Sequence, residues 1–302
     1  MRRYILPVFL LLLISVSSCK SKFEKLRASN NLAKKYEEAV KLYENEKYSK
    51  ALVLFEDLMQ KYRGRSEAED LYYFNAYTHY RLKDYISARY HFKQFATTFP
   101  NSVRAEEARF MSAYSYYLDS PRSNLDQENT RKAIDEMQLF VNIYPNSERA
   151  EEAGELIQKL RDKLEKKAFD NAKLYYNMGF SDDYRASVIA LENMLQDYPD
   201  TRYAEEAEYL IIKSQYLFAD NSYVHRQENR FNEALDYFDV FVEKYPESKY
   251  LKELTEIREK SEKKIALAVR DMKEIERQQK ERDRDLGITT VTEAEAEEAE
   301  NF

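Results

Sequence analysis

A chain of 302 residues with only 4 glycines and 6 prolines lacks what tight hairpins and phosphate-cradling loops demand, which excludes β-sandwiches, dinucleotide-binding units and P-loops. Charged residues make up 34% of it, interspersed with aromatics at helical spacing, so the fold class is all-α. A formal net charge of −7 with both signs mixed argues against nucleic acid as a partner.

The chain opens "MRRYILPVFLLLLISVSSCKS". Two arginines, about a dozen mostly apolar residues and a small-residue zone describe a secretory signal over residues 1–18, too short for a membrane span of about 20 apolar residues. Cys19 is the only cysteine and follows Val16-Ser17-Ser18, a context that resembles the bacterial lipobox. That resemblance makes Cys19 the lipid-attachment residue and residues 19–30 a lipidated tether, since several acyl chains together anchor stably. The alternative is an ordinary cleaved signal with a free thiol. Lys20 stands where lipoproteins kept in the inner membrane often carry Asp, which favours the outer membrane.

From residue 31 a motif returns. "FPNSVRAEEARF" (99–110), "YPNSERAEEAGE" (144–155) and "YPDTRYAEEAEY" (198–209) share one plan, with a looser copy at 245–256 and a proline-less version, "KYRGRSEAED", at 61–70. Proline ends one helix, the Ser or Thr two residues later is placed to cap the next, and glutamates favour its first turn. The prolines lie 45, 54 and 47 residues apart, a period of stacked helix pairs.

The second helix of each pair carries a small residue between two large ones: Tyr48-Ala51-Phe55, Tyr85-Ala88-Phe92, Thr130-Ala133-Met137, Tyr184-Ser187-Leu191 and Phe231-Ala234-Phe238. The spacing sets all three on one stripe, where the small residue lets a neighbouring helix approach. Loops at 118–129 and 219–229 lengthen units three and five; their echo, "DQEN" and "RQEN", makes Asn129 and Asn229 candidate helix caps. Residues 147–179 read as one helix, ended by Gly179. After unit five, residues 251–284 form a charged helix with a narrow apolar stripe of Ile265, Ala268, Met272 and Ile275. It caps the last repeat or docks a further subunit. Residues 285–302 are a disordered acidic tail.

An aromatic, Ala, Phe and a terminal Pro in the second helix looks like the tetratricopeptide repeat, giving a superhelix of about five helix pairs over 31–250 and a C-terminal capping helix. Five such units behind a lipobox, with the long helix in unit four and the corners at Tyr144–Ser147 and Asp197–Thr201, resemble the BamD family, lipoprotein subunits of the bacterial machinery that assembles outer-membrane β-barrels. The resemblance implies a scaffold anchored by lipid on the periplasmic side of the outer membrane. Its implied partners are a BamA-like assembly protein with periplasmic domains and unfolded outer-membrane proteins. The charged helix and the glutamate tail are additions to the family's pattern, and Thr130 replaces its aromatic.

A superhelix of such units turns its first helices toward a groove. The groove candidates are Tyr36, Tyr43, Tyr73, Tyr77, Tyr80, Phe110, Tyr114 and Tyr117. Tyrosine, present 26 times against no tryptophan, joins an apolar ring to a hydroxyl and suits a surface that grips extended peptides. The expected ligand is the C-terminal strand of an unfolded barrel protein; the same rings also serve packing between repeats.

No catalytic constellation is expected. His79, His91 and His225 lie singly, without ligand spacing for a metal. No serine sits in a glycine-flanked elbow, and neighbouring carboxylates such as Glu106 and Glu107 read as solvated helix faces. No cofactor is implied. Two other binding roles remain open: a lipoprotein that captures glycans or nutrients beside a transporter, and a repeat protein serving cell-wall or division machinery.

Overall fold

In the computed structural model residues 22–62 and 68–286 are described; the signal, Cys19, most of the 61–70 corner and nearly all of the acidic tail lie outside them. Among the described residues there are twelve α-helices and no strand. They are α1 (Lys22–Arg27), α2 (Leu32–Glu44), α3 (Tyr48–Tyr62), α4 (Glu69–Arg81), α5 (Tyr85–Thr98), α6 (Ala105–Leu118), α7 (Glu128–Ile143), α8 (Ala150–Met178), α9 (Ser181–Asp197), α10 (Ala204–Asp220), α11 (Val224–Lys244) and α12 (Leu251–Asp285). The chain divides into two compact units, one ending at Leu164 and the other beginning at Glu165. That boundary falls inside α8.

Helices pair because a short turn reverses the chain and a small residue lets the two rods meet. Between α2 and α3 and between α4 and α5 the turn is the same. Glu46 (φ 57°) and Lys83 (φ 60°) take the left-handed conformation, and the next amide, of Lys47 or Asp84, reaches back to the carbonyl of Leu42 or His79. This is the Schellman ending, made without glycine, although a side chain at such a φ costs about 1–2 kcal/mol. Ala51, Ala88, Ala133, Ser187 and Ala234 are all 0–2% exposed, which fits the packing role read from their spacing.

A second contact closes each pair. The leading aromatic of the second helix meets a tyrosine of the first: Tyr48 with Tyr43 at 5.4 Å between ring centres, Tyr85 with Tyr80 at 6.0 Å, Tyr184 with Tyr176 at 6.2 Å, and Phe231 with Tyr216 at 5.7 Å. Unit three, with Thr130 in that place, uses a polar chain instead. Lys163 Nζ donates to Ser120 Oγ (2.9 Å), Ser120 bonds Thr130 Oγ1 (2.8 Å), Thr130 donates to Gln127 Oε1 (2.7 Å), and Gln127 Nε2 donates to the carbonyls of Arg122 and Leu125. Thr130 and Gln127 are buried, and buried hydroxyls hold such a place only when fully bonded.

Residues 119–127 separate α6 from α7 as a loop, but only 221–223 separate α10 from α11, so most of the loop expected at 219–229 is helix, and neither asparagine is a cap. Asn129 lies inside α7 and donates to Asp119 Oδ2 (3.0 Å), while Asn229 lies well within α11. The shared residue that matters is the glutamine before each asparagine's glutamate. Gln227, like Gln127, donates to loop carbonyls, those of Asp220 and Ser222. A side-chain amide reaches backbone oxygens that a short asparagine within a helix cannot.

The proline corners also differ in detail from a simple N-cap. Ser102, Ser147, Thr201 and Ser248 accept from the amide two residues on, within the turn ahead of the helix. Each helix begins one residue after that amide, with no side-chain cap bond at Arg104, Tyr203 or Tyr250. Two of these hydroxyls then donate across repeats, Ser102 to Glu69 Oε1 (2.6 Å) and Ser147 to Glu106 Oε1. Glu106 is therefore a bonded residue of the repeat interface, not a free carboxylate.

In the first unit, one cluster gathers Ala39, Leu54, Phe55 and Leu71, and a larger one gathers Phe92, Phe95, Phe110, Met137, Phe140, Ala153 and Leu156. Phe23 and Leu26 of α1 pack on the first of these. In the second unit, Phe169, Ala172, Leu191, Met194 and Leu210 form one cluster, and Ile212, Phe238, Phe241, Leu254 and Ile257 another. α8 runs unbroken for 29 residues to Gly179 at φ +83°, about 44 Å at 1.5 Å per residue. The first half of α12 seals the last pair through Leu254 and Ile257. Along its stripe Ala268 is buried, Ile265 and Met272 are half-buried and Ile275 is 46% exposed.

The histidines do not all stand singly. Folding α4 back on α5 stacks His79 on His91 at 4.8 Å and 17°, and His79 Nδ1 lies 3.1 Å from Asp84 Oδ2. Burial, and then the charge of His79, depress the His91 pKa to about 4; Gln94 and Asp84 oppose them.

Two outcomes follow from this packing. Replacing Ala88 by leucine is expected to cost about 1–3 kcal/mol by overpacking the α4–α5 seam, measured by urea unfolding. His91 is neutral in the fold below the point, 6.5, where it charges when unfolded. The unfolded state thus binds more protons between those values. Its stabilising effect is complete above pH 6.5 and is lost as the pH falls toward 4. The urea midpoint should drop over that interval, and His91→Gln should flatten the drop.

Candidate functional site

The first helices of the first unit carry tyrosines at intervals of four and three: Tyr73, Tyr77 and Tyr80 on α4, and Phe110, Tyr114 and Tyr117 on α6. That interval keeps them on one stripe. The fold brings the two stripes together as a ladder of rings. Tyr73 meets Tyr77 at 4.8 Å and Tyr77 meets Tyr80 at 6.2 Å; Tyr114 stacks on Phe110 at 5.7 Å and on Tyr117 at 5.6 Å.

Glu107 ties the ladder. The hydroxyl of Tyr73 donates to its Oε2 (2.6 Å) and that of Tyr77 to its Oε1 (2.5 Å), so one carboxylate of α6 accepts from two rings of α4. Burial first, and then this carboxylate, push the Tyr73 pKa up to about 12, and the same causes raise Tyr77. Both stay protonated and remain hydrogen-bond donors. Cations line the same rings: the Arg104 guanidinium lies 4.7 Å from the centre of Tyr73 and pairs with Asp70, and Arg149 lies 4.6 Å from Phe110. Lys163 Nζ is 5.8 Å from Tyr117.

The eight candidates divide. Tyr73, Tyr77, Tyr80, Tyr114 and Tyr117 are half-buried, one side against the larger core cluster. Tyr36 and Tyr43 are half-buried on the N-terminal cluster. Burial raises both, with Asp70 acting on Tyr36 and an Arg81 hydrogen bond opposing in Tyr43. Phe110 is corrected: at 1% exposure it is core, covered by Arg149 and Tyr114 and met from beneath by Phe140. Glu107, expected on a solvated helix face, is instead bonded by two tyrosines, and the two arginines were not among the expected site residues. Their signal was present, since Arg104 and Arg149 open the "RAEEA" of both tandem copies.

What this face offers is a set of rings half open to a ligand, a fixed carboxylate and a cationic rim. Among the described residues no three His, Cys, Asp or Glu side chains converge as a metal site, and no helix is long and apolar enough to cross a membrane.

Comparison with known proteins places this architecture. The family model described as "YfiO: Outer membrane lipoprotein" matches residues 29–221 and 181–282. A Rickettsia prowazekii protein named outer membrane protein assembly factor BamD is 22% identical over 246 residues, 82% of this chain and 93% of that protein. Its namesake from Caulobacter vibrioides is 24% identical over 138 residues, 46% of this chain and 44% of that one. Among solved structures, one described as the TPR2AB-domain:pHSP90 complex of yeast Sti1 aligns over 76% of this chain and 98% of its own. Its TM-score of 0.34 and 12% identity are too low to bear on function. With helix pairs throughout and a family match from residue 29 to 282, the chain belongs to the YfiO family of outer membrane lipoproteins.

Proposed function

We infer that the chain is a lipid-anchored, non-catalytic scaffold on the periplasmic face of the outer membrane, serving the assembly of β-barrel proteins. Family membership and the two relatives named as assembly factors support this reading. Cys19 is the anchoring residue, and the partners are a β-barrel assembly protein with periplasmic domains and unfolded barrel chains.

The observation that carries substrate binding is the tyrosine ladder clasped by Glu107. With Tyr73 and Tyr77 locked by one carboxylate, little rotamer entropy remains to be lost when a peptide lies across them. Flat aromatic faces suit alternate side chains of an extended strand, and Arg104 beside Tyr73 stands where a chain-terminal carboxylate would be drawn.

Two measurements test this reading. Fluorescence anisotropy with a labelled strand peptide ending in an aromatic is expected to show affinity about tenfold weaker for Tyr73→Ala/Tyr77→Ala/Tyr114→Ala. Circular dichroism checks that the helices persist, and unchanged affinity in the folded triple variant retires the site. For the anchor, mass spectrometry of the mature N-terminus should find acylated Cys19, and Cys19→Ser should release the protein from membranes. Failure of the extracted protein to recover a β-barrel partner would count against the scaffold.

A further inference from the structure

In the second unit, the short α10–α11 turn, the helix ends beside it and the start of α9 line a cleft of about 360 Å³, among whose residues are Asp182, Arg185, Phe218, Ser222, Arg226 and Arg230. Three guanidiniums thus face one carboxylate. Among the described residues neither Arg185 nor Arg226 has an ion-pair partner.

The site is held open by its own chain. Gln227 donates to the carbonyls of Asp220 and Ser222 and so fixes the loop. The Arg230 guanidinium lies over Phe218, 3.8 Å from its centre, with Nη1 on Ser222 Oγ. Burial and the neighbouring charges of Arg226 and Arg185 lower the Arg230 pKa, against Glu233 and Asp182.

Arg226 sits in the first turn of α11, which, like α2, α3 and α5, carries no acidic residue there, and a cation at that end opposes the helix dipole.

We propose that this cleft binds a phosphomonoester dianion through Arg185, Arg226 and Arg230. Three guanidiniums against Asp182 leave two positive charges, and a phosphomonoester carries about −1.5 to −2 near neutral pH. Guanidinium forks fit phosphate oxygens in pairs, and the N-terminal end of α11 adds a dipole of the right sign. The volume lies at the small end of ligand sites, which begin at about 300 Å³, and suits a head group. Free phosphate and a phosphorylated lipid headgroup share this chemistry.

Calorimetry of the full mature chain in detergent with inorganic phosphate reads the site. A saturable single-site isotherm is expected, weakened about tenfold or more by Arg226→Ala and by Arg185→Ala, and unchanged by Arg277→Ala near the end of α12. Arg185 and Arg226 are exposed, so neither variant removes core packing, and thermal melting of each confirms it. Flotation of the full chain carrying Cys19→Ser, so that no acyl anchor binds the vesicle by itself, on phosphatidylcholine with or without phosphatidic acid separates the sources. Recruitment by phosphatidic acid that needs Arg226 assigns the headgroup; phosphate binding without it assigns the free anion. An isotherm without saturation, or one equal in wild type and both variants, overturns the proposal. So does Arg226-dependent binding of a glutamate-rich peptide with no phosphate binding.

Discussion

The close approach of two rods over a small side chain is the constraint from which the rest descends. Ala51, Ala88, Ala133, Ser187 and Ala234 are shut from solvent, and beside them large residues fill the gaps that a short interaxial distance leaves. A methyl group at the seam lets Phe55 or Phe92 lie wholly inside. Removing a buried phenyl ring costs about 3–5 kcal/mol, more than any single surface ion pair in this charge-rich chain supplies. The rings packed beside that seam, Tyr80 against Tyr85 and Tyr77 against Phe92, are also members of the ladder, so core and candidate binding face share material.

Fold class and helix order were legible because they are written in spacing. The corners, the small–large stripes and Gly179 each state a local rule that tertiary packing then obeys. The histidine pair was not legible, since His79 and His91 are 12 residues apart and meet only when α4 folds back on α5. Glu106 and Glu107 were misread for a related reason. A carboxylate on a helix surface looks solvated until the neighbouring repeat brings a serine or two tyrosines to it. Phe110 and Tyr114 share one stripe in the sequence, and only the third helix decides which is covered.

The substitutions at unit three show how a repeat tolerates losing a ring. Thr130 removes the aromatic clasp, and the gap is filled by hydroxyls, an amide and the Lys163 ammonium in one chain of donors. Burial lowers the Lys163 pKa, so the arrangement keeps its cation at some cost. Such a chain is all or nothing: each member lost strands the next without a partner. Gln127 and Gln227, beside the α6–α7 and α10–α11 connections, follow the same logic, each fixing a turn through its backbone carbonyls.

One helix belongs to both compact units. α8 lends Ala153 and Leu156 to a core in one and Phe169 and Ala172 to a core in the other, with no break in its backbone before Met178. Helical hydrogen bonds propagate along a rod once it is nucleated, so burial at either end favours the helix next to it. α8 is thus a single rod whose two ends draw their burial from different cores.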